Sequence, residues 1–219
     1  MTFRQVSGFT AAVLVGAALL VPARASAQGV TIGVKGGLNT SNVKLDSPSG
    51  ESLPNTDTLN GLIIGGFVGR DFNAKAGMVV EFLWARAGSN LNFVEDGIQG
   101  ALEIKVDYFQ VPVLARANFR ASDKAVVHVF GGPTFGFKTG KSEKVTANGI
   151  DVSQDVGEQA DLKSNDMGLT IGAGFDIGQF LVDARYTWGL MNINNESSGD
   201  PKVKTQQFAV MFGMELWRK

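Results

Sequence analysis

The chain has 219 residues, a formal net charge of −1, no cysteine and one histidine. This composition excludes a disulfide framework, thiol chemistry and a polybasic surface for nucleic acid. It also excludes a zinc site built from cysteine and histidine, which needs several of those residues, and we expect neither a metal nor a cofactor.

The N-terminus has the three parts of a secretory signal peptide. Arg4 supplies a positive charge, residues 9–21 form an apolar run, and Ala25-Ser26-Ala27 provides a small-residue cleavage site. The run is too short for a spanning helix, which needs about 20 apolar residues. We therefore predict a signal peptide at residues 1–27, cleavage after Ala27, and one domain over residues 28–219.

The remaining chain alternates apolar and polar residues in eight runs, which is the pattern of half-buried β-strands. In chain order the predicted strands cover residues 29–39, 61–72, 77–87, 101–119, 125–138, 167–177, 180–190 and 203–217. The second strand is apolar on both faces, so its register is not predicted. The first half of the fourth strand has the opposite parity to its second half, which indicates either a ladder that extends beyond a membrane or a bulge.

The sixth and seventh strands give the clearest alternation and are joined by a tight turn at Gly178-Gln179. One face is apolar and ends in aromatic residues, while the other mixes Gly, Thr, Asp and Arg. In a soluble sandwich the apolar face would meet a core, and in a transmembrane barrel it would meet lipid. The hairpin alone fits both folds.

The connections distinguish the two folds. Long polar segments at residues 40–60, 88–100, 139–166 and 192–202 alternate with short turns, which is typical of outer-membrane barrels with loops outside and turns in the periplasm. Hydrocarbon offers no hydrogen-bond partner, so an exported β chain spans a bilayer only by closing on itself. We predict an all-β fold, an eight-stranded antiparallel up-and-down transmembrane β-barrel in the outer membrane.

Five segments, in order along the chain, are GVKGGLNTSNV (33–43), YFQVPVLARANF (108–119), VFGGPTFGF (129–137), GLTIGAGFDI (168–177) and ARYTWGLMNI (184–193). Together they resemble the small PorT-type outer-membrane β-barrel family, which is similar in architecture to the OmpA and OmpX eight-stranded barrels. The resemblance spans nearly all of the chain after the signal peptide and implies the same barrel architecture.

The parity of the strands predicts a polar network inside the barrel. Its members are Lys35, Glu81, Arg116, His128, Asp176, Asp183, Arg185 and Glu215. Bases and acids are nearly balanced, whereas a selective pore is expected to show one dominant sign. Because the interior of an eight-stranded barrel is just filled by side chains, we interpret the set as a salt-bridged plug, with a gated ion path as the alternative.

The sequence predicts no catalytic residue. His128 is the only histidine, and no spacing supplies it with a nucleophile and an orienting carboxylate. We therefore favour a non-enzymatic barrel with a structural or surface-interaction role through its long loops, which could contact an extracellular ligand.

Three other hypotheses remain open at this stage. They are a small-solute channel or secretion and transport accessory barrel, a lipid-modifying barrel enzyme, and a soluble lipocalin-like barrel of the periplasm. The favoured hypothesis predicts a monomer whose partners are outer-membrane lipid and, during biogenesis, periplasmic chaperones and the barrel assembly machinery.

Overall fold

The computed structural model describes residues 29–46, 56–95, 98–147, 150–151, 164–191 and 202–219. These residues form nine strands: β1 Val30–Asp46, β2 Thr56–Asn73, β3 Ala76–Glu95, β4 Ile98–Arg120, β5 Ala125–Ala147, β6 Ile150–Asp151, β7 Asn165–Ile177, β8 Phe180–Gly189 and β9 Lys202–Arg218. The described part of the chain holds no helix with the length and apolarity needed to cross a membrane.

Eight of these strands close into a barrel. Each long strand pairs antiparallel with its neighbours in the order β4-β3-β2-β1-β9-β8-β7-β5, and the pairing of β4 with β5 closes the ring. The two-residue β6 pairs only with the end of β5. The predicted eight-stranded antiparallel barrel is confirmed, and closure leaves it no open sheet edge along the ring.

The two ends of the barrel differ. Short turns connect β2 to β3, β4 to β5 and β7 to β8, and we name this the turn end. At the β7–β8 turn Gly178 has a φ of 62°, a conformation that favours glycine. The opposite end, where the longer connections lie, is named the loop end.

Several predicted loops are wrong because strands continue through them. Residues 40–46 and 56–60 belong to β1 and β2, residues 88–95 and 98–100 to β3 and β4, and residues 139–147 to β5. Residues 165–166 begin β7 and Lys202 begins β9. Beyond a bilayer the outer face meets water, so hydrophobic alternation disappears while backbone pairing continues. Residues 150–151 of the predicted loops form β6, and residues 47–55, 96–97, 148–149, 152–163 and 192–201 lie outside the described residues.

The parity of β4 is explained by an extended ladder. Its register against β3 runs without a shift from Ile98 to Tyr108, so Val106 and Tyr108 share the inward face. A bulge does occur against β5, between Asp107 and Tyr108, but the extra residue there is Thr139 of β5. The charged residues of the first half of β4 therefore face outward above the apolar band.

The apolar faces of the strands point away from the barrel centre. Leu169, Ile171, Phe175 and Ile177 of β7 are exposed, and so are Phe208, Val210 and Phe212 of β9. The register of β2, which the sequence leaves open, places Leu62 and Ile64 outside and Ile63 inside. An outward apolar band around a closed ring is the surface that hydrocarbon requires.

A bulge near the turn end of β9 adjusts its last residues. Ile32 pairs with Trp217 while Gly33 pairs with Glu215, so Leu216 is the extra residue. Leu216 and Trp217 are consequently both exposed, although alternation would have turned Trp217 inward. The bulge keeps the last aromatic residue on the lipid-facing side.

Candidate functional site: the barrel interior

Four charged side chains meet at the centre of the barrel, and we name them the central ion-pair cluster: Lys35 of β1, Glu81 of β3, and Asp183 and Arg185 of β8. Lys35 Nζ donates to Glu81 Oε1 and to Asp183 Oδ2, both at 2.8 Å. Arg185 donates through Nη1 and Nη2 to the two oxygens of Glu81, at 2.5 and 3.0 Å. It also donates through Nε and Nη2 to Asp183, both at 3.0 Å.

This cluster is buried and has no net charge. None of its four residues is more than 7 % exposed, so both carboxylates have exchanged water for protein donors. The mutual attraction of the two cations and two anions, together with their hydrogen bonds, offsets the free-energy cost of burying charge. A buried charge without a partner would have no such compensation. The contacts also tie β1, β3 and β8 together across the lumen.

Each cation of the cluster lies over an aromatic ring. Lys35 Nζ is 5.1 Å from the ring centroid of Phe67, and Arg185 Cζ is 5.1 Å from that of Phe130. Such contacts attract a cation to the face of the ring. The two rings complete the wall around the charges.

Each of these rings packs on a glycine of the neighbouring strand. Phe67 pairs with Gly33 and Phe130 with Gly172, and a Cβ built on either glycine would lie 2.4 Å from the ring. A side chain at either position would displace its ring. The glycines therefore give the rings room to lie flat beneath the cations.

A second polar group lies nearer the turn end, and we name it the turn-end cluster: Arg116, Asn118, His128 and Asp176. Arg116 pairs with Asp176 and donates through Nε to Asn118 Oδ1 at 2.7 Å. His128 Nδ1 lies 3.4 Å from Asp176 Oδ1, a close approach in which neither atom has a hydrogen-bond partner. Asn118 continues the contacts to Asp71 Oδ1 at 3.3 Å.

Glu215 lies apart from the central cluster. It sits on the inward face of β9 at the turn end, where it pairs with Arg218. The structure thus brings four of the eight predicted interior residues together at the centre and three others together in the turn-end cluster. Glu215 pairs instead with a residue outside the predicted set.

On the loop-end side of the central cluster lies a group of apolar side chains, which we name the apolar layer: Ile63, Leu83, Ala85, Ala209 and Met211. None of the five is more than 2 % exposed. Leu83 follows Glu81 by two residues along β3. Ile63 and Met211 flank Gly37, which lies two residues beyond Lys35 on β1.

The opposite wall at this level is made of hydroxyl groups that satisfy one another. Thr134 and Thr170 are joined by a hydrogen bond of 2.6 Å, and Thr170 and Thr187 by one of 2.7 Å. Thr187 follows Arg185 by two residues on β8. Closer to the loop end, Gln110 donates to Gln207 at 3.1 Å and Thr205 to Asp166 at 2.7 Å.

A small cavity of about 20 Å³ adjoins the central cluster on its turn-end side. Its charged lining comes from both clusters, and its apolar lining includes Val79, Leu114 and Leu181. Val79 and Leu181 precede Glu81 and Asp183 by two residues each, which fixes the side on which the cavity lies. It has room for about one water molecule.

Two aromatic rings that contact the central cluster, those of Phe67 and Phe130, were not predicted from the sequence, and neither was the apolar layer. Phe67 lies in the strand whose register could not be predicted, and Phe130 was not recognised as inward-facing. A signal was present, because Gly33 and Gly172 mark positions where a neighbouring strand needs room for a large side chain.

The chemistry of these groups is that of ion pairing. Among the described residues no three His, Cys, Asp or Glu side chains are arranged to hold a metal ion. The imidazole of His128 lies against Asp176 and the ring of Phe130, 5.7 Å away between centroids. The arrangement can hold strands together and fill the lumen.

A closed ring of eight antiparallel strands, apolar outside and polar within, defines the class of membrane-spanning β-barrels. The outer membrane protein beta-barrel domain family matches residues 24–195, and the chain belongs to that family. It is therefore a β-barrel protein of the outer membrane.

Solved structures with the same fold include OprG of Pseudomonas aeruginosa, at 12% identity over 86% of this chain and 96% of that one, with a TM-score of 0.51. Ail, the attachment invasion locus protein of Yersinia pestis, solved with the heparin analogue sucrose octasulfate, matches at 21% identity over 86% of this chain and 99% of that one, with a TM-score of 0.40. Neisserial surface protein A matches at 11% identity over 85% of this chain and 99% of that one, with a TM-score of 0.44. No curated protein matches the sequence.

Proposed function

We propose that the protein is a non-enzymatic outer-membrane barrel with a structural or surface-interaction role, closed in its interior by side chains. The observation that supports this most is the central ion-pair cluster. Its four charges balance, each is bound to opposite charges, and together they cross the lumen between β1, β3 and β8. The paired side chains fill part of the lumen, and their separation would leave buried charge unpaired at high cost.

The absence of an enzymatic role is part of this proposal. Its support is that Glu81, Asp176 and Asp183 are each engaged by lysine or arginine in ion pairs, rather than held free for proton transfer. The competing lipid-modifying hypothesis requires His128. We expect His128→Ala to leave the lipid profile of the outer membrane unchanged, and an altered profile would contradict the proposal.

The test of closure is single-channel recording of the refolded protein in planar bilayers. We expect no large, reproducible conductance, because the balanced charges and the apolar layer fill the lumen. Large and reproducible conductance steps would overturn the proposal in favour of the alternative, a small-solute channel or transport accessory barrel.

The surface-interaction role is assigned to the segments at the loop end, and the central parts of these lie outside the described residues. What supports it is the extension of β3, β4 and β5 beyond the apolar band with charged outward residues such as Arg86 and Lys105. A barrel held monomeric in lipid presents that extension to the medium. The test is a deletion strain complemented with a variant shortened at the loop end. This variant should fail to restore the wild-type phenotype, whereas the full-length protein should restore it.

The remaining parts of the proposal concern biogenesis. We propose export with cleavage after Ala27, followed by folding with the help of periplasmic chaperones and the barrel assembly machinery. Mass spectrometry of the protein purified from outer membranes should give a chain that begins at Gln28. A chain that retains residues 1–27 would contradict cleavage without affecting the proposal of a closed barrel.

A further inference from the structure

We infer that the apolar layer is the barrier to water and ions in this barrel. The central ion-pair cluster holds the strands together on the turn-end side of that barrier, where water has access. The inference rests on the proposed function, a barrel closed in its interior, and adds where along the axis it is closed. It assigns the permeability barrier to Ile63, Leu83 and Met211.

The cavity lies between the two charged clusters, on the turn-end side of the apolar layer. Its lining combines Lys35, Glu81 and Asp183 of the central cluster with Arg116 and His128 of the turn-end cluster. A space for about one water molecule with charged groups around it is favourable to hydration. Water from the turn end therefore has polar partners as far as the central charges.

Some polar groups around the cavity have hydrogen-bonding capacity that no protein group uses. Lys35 has three N–H donors and spends two of them on Glu81 and Asp183. His128 Nδ1 and Asp176 Oδ1 have no hydrogen-bond partner within the described protein. Buried groups of this kind are commonly satisfied by an ordered water. The turn-end half of the lumen is therefore suited to hold one, as is the loop-end side, where Tyr108 and Gln207 also have buried atoms without a partner.

The next level toward the loop end is the apolar layer, which contains no charged side chain. Leu83 and Met211 are 0 % exposed and Ile63 is 2 % exposed, and they pack with two alanines into one cluster. The threonines of the opposite wall spend their hydroxyl groups on one another. A close-packed apolar constriction excludes water and ions by dewetting, which a charged level does not.

The experiment compares two leucine-to-serine variants of the full-length protein in planar bilayers. Leu83→Ser removes apolar volume from the apolar layer and adds a hydroxyl. Leu114→Ser makes the same change at an equally buried leucine, 1 % exposed, that lines the cavity on the turn-end side. Glu81→Gln tests the charges. Heat-modifiable gel mobility verifies that each variant is folded.

We expect Leu83→Ser to raise the frequency of conducting events about tenfold or more over wild type, because it hydrates the constriction. Leu114→Ser and Glu81→Gln should stay at the wild-type level. If Leu83→Ser does not fold, Met211→Ser replaces it with the same expectation.

The outcomes separate the two claims. The inference would be overturned if Glu81→Gln or Leu114→Ser conducted as often as Leu83→Ser or more often. It would also be overturned if Leu83→Ser folded but showed conducting events only at the wild-type frequency. Large conductance from the wild-type protein would overturn the proposed closed barrel itself.

Discussion

At the scale of single residues, the central ion-pair cluster depends on being complete. Glu81 accepts hydrogen bonds from Lys35 Nζ and from two nitrogens of Arg185, so loss of its charge leaves two buried cations without one of their anionic partners. Removing one member of a buried ion pair is far more costly than removing an exposed one, because the remaining charge is too poorly solvated to compensate for the lost partner.

We therefore predict that Glu81→Gln lowers the free energy of unfolding by about 3–5 kcal/mol. The matched control is Glu103→Gln, whose ion pair with Lys105 is partly exposed and should contribute about 0–1 kcal/mol. Urea unfolding in detergent micelles, followed by tryptophan fluorescence, measures both. Equal losses in the two variants would contradict the role given to the central cluster.

The glycines beneath the aromatic rings give a second prediction at this scale. A Cβ at Gly172 would lie 2.4 Å from the Phe130 ring and 2.6 Å from the carbonyl oxygen of Ala184. We expect Gly172→Ala to destabilise the barrel by about 1–3 kcal/mol, which is the range for an overpacked site.

Gly66→Ala is the control for this prediction, because its Cβ would meet only the carbonyl oxygen of Gly33, at 3.4 Å. It should be neutral or slightly stabilising in the same urea experiment, since alanine loses less conformational freedom than glycine on folding. A destabilisation by Gly66→Ala as large as that by Gly172→Ala would show that the ring contact is not the cause.

At the scale of the strands, the direction of side chains was predictable from the sequence and the length of the strands was not. Alternation placed Lys35, Glu81 and Asp183 on inward faces because lipid forces apolar residues such as Val182 and Phe208 outward. Above the apolar band that force is absent. The continuation of β3 through residues 88–95 therefore carries only two alternating apolar residues, Leu91 and Phe93, a pattern too short to predict a strand.

The partners inside the barrel could not be predicted for a different reason. Lys35 meets Glu81 across 46 positions of sequence and Asp183 across 148. Parity says that all three face the lumen, but which of them meet depends on the stagger of the strands around the ring. Phe67 was missed because both faces of β2 are apolar, so alternation alone could not decide its side.

The bulge at Leu216 gives a prediction at the scale of one strand. It places Trp217 outward at the turn end, close to the membrane surface, where aromatic residues are favoured. In a variant that keeps Trp217 as the sole tryptophan, lipids brominated near the headgroup should quench its fluorescence strongly. The control is the variant that keeps Trp188, which lies toward the loop end on β8. Quenching of Trp188 with none for Trp217 would contradict the outward placement.

At the scale of the whole molecule, the interior is ordered by level along the barrel axis. From the turn end it passes from the turn-end cluster through the cavity and the central ion-pair cluster to the apolar layer, and then to uncharged polar pairs such as Gln110 and Gln207. Charges near the middle hold opposite walls together, while apolar side chains fill the space above them. This division is a consequence of packing a narrow lumen with side chains from eight strands.

A whole-molecule prediction concerns membrane association. Because the apolar faces point outward around a closed ring, washing membranes with alkaline carbonate should leave the protein in the membrane fraction. The folded barrel should also migrate differently on gels before and after boiling. Release by carbonate would instead support the soluble periplasmic barrel.

The most direct measurement of the central claim uses the absence of cysteine from the natural sequence. Single cysteines at positions 207 to 212 of β9 would carry spin labels in lipid vesicles, and their collision rates with oxygen, which concentrates in lipid, would be recorded. We predict high rates at Phe208, Val210 and Phe212 and low rates at Gln207, Ala209 and Met211, with a period of two. High rates at the second set, or no alternation, would contradict a barrel whose apolar faces contact lipid.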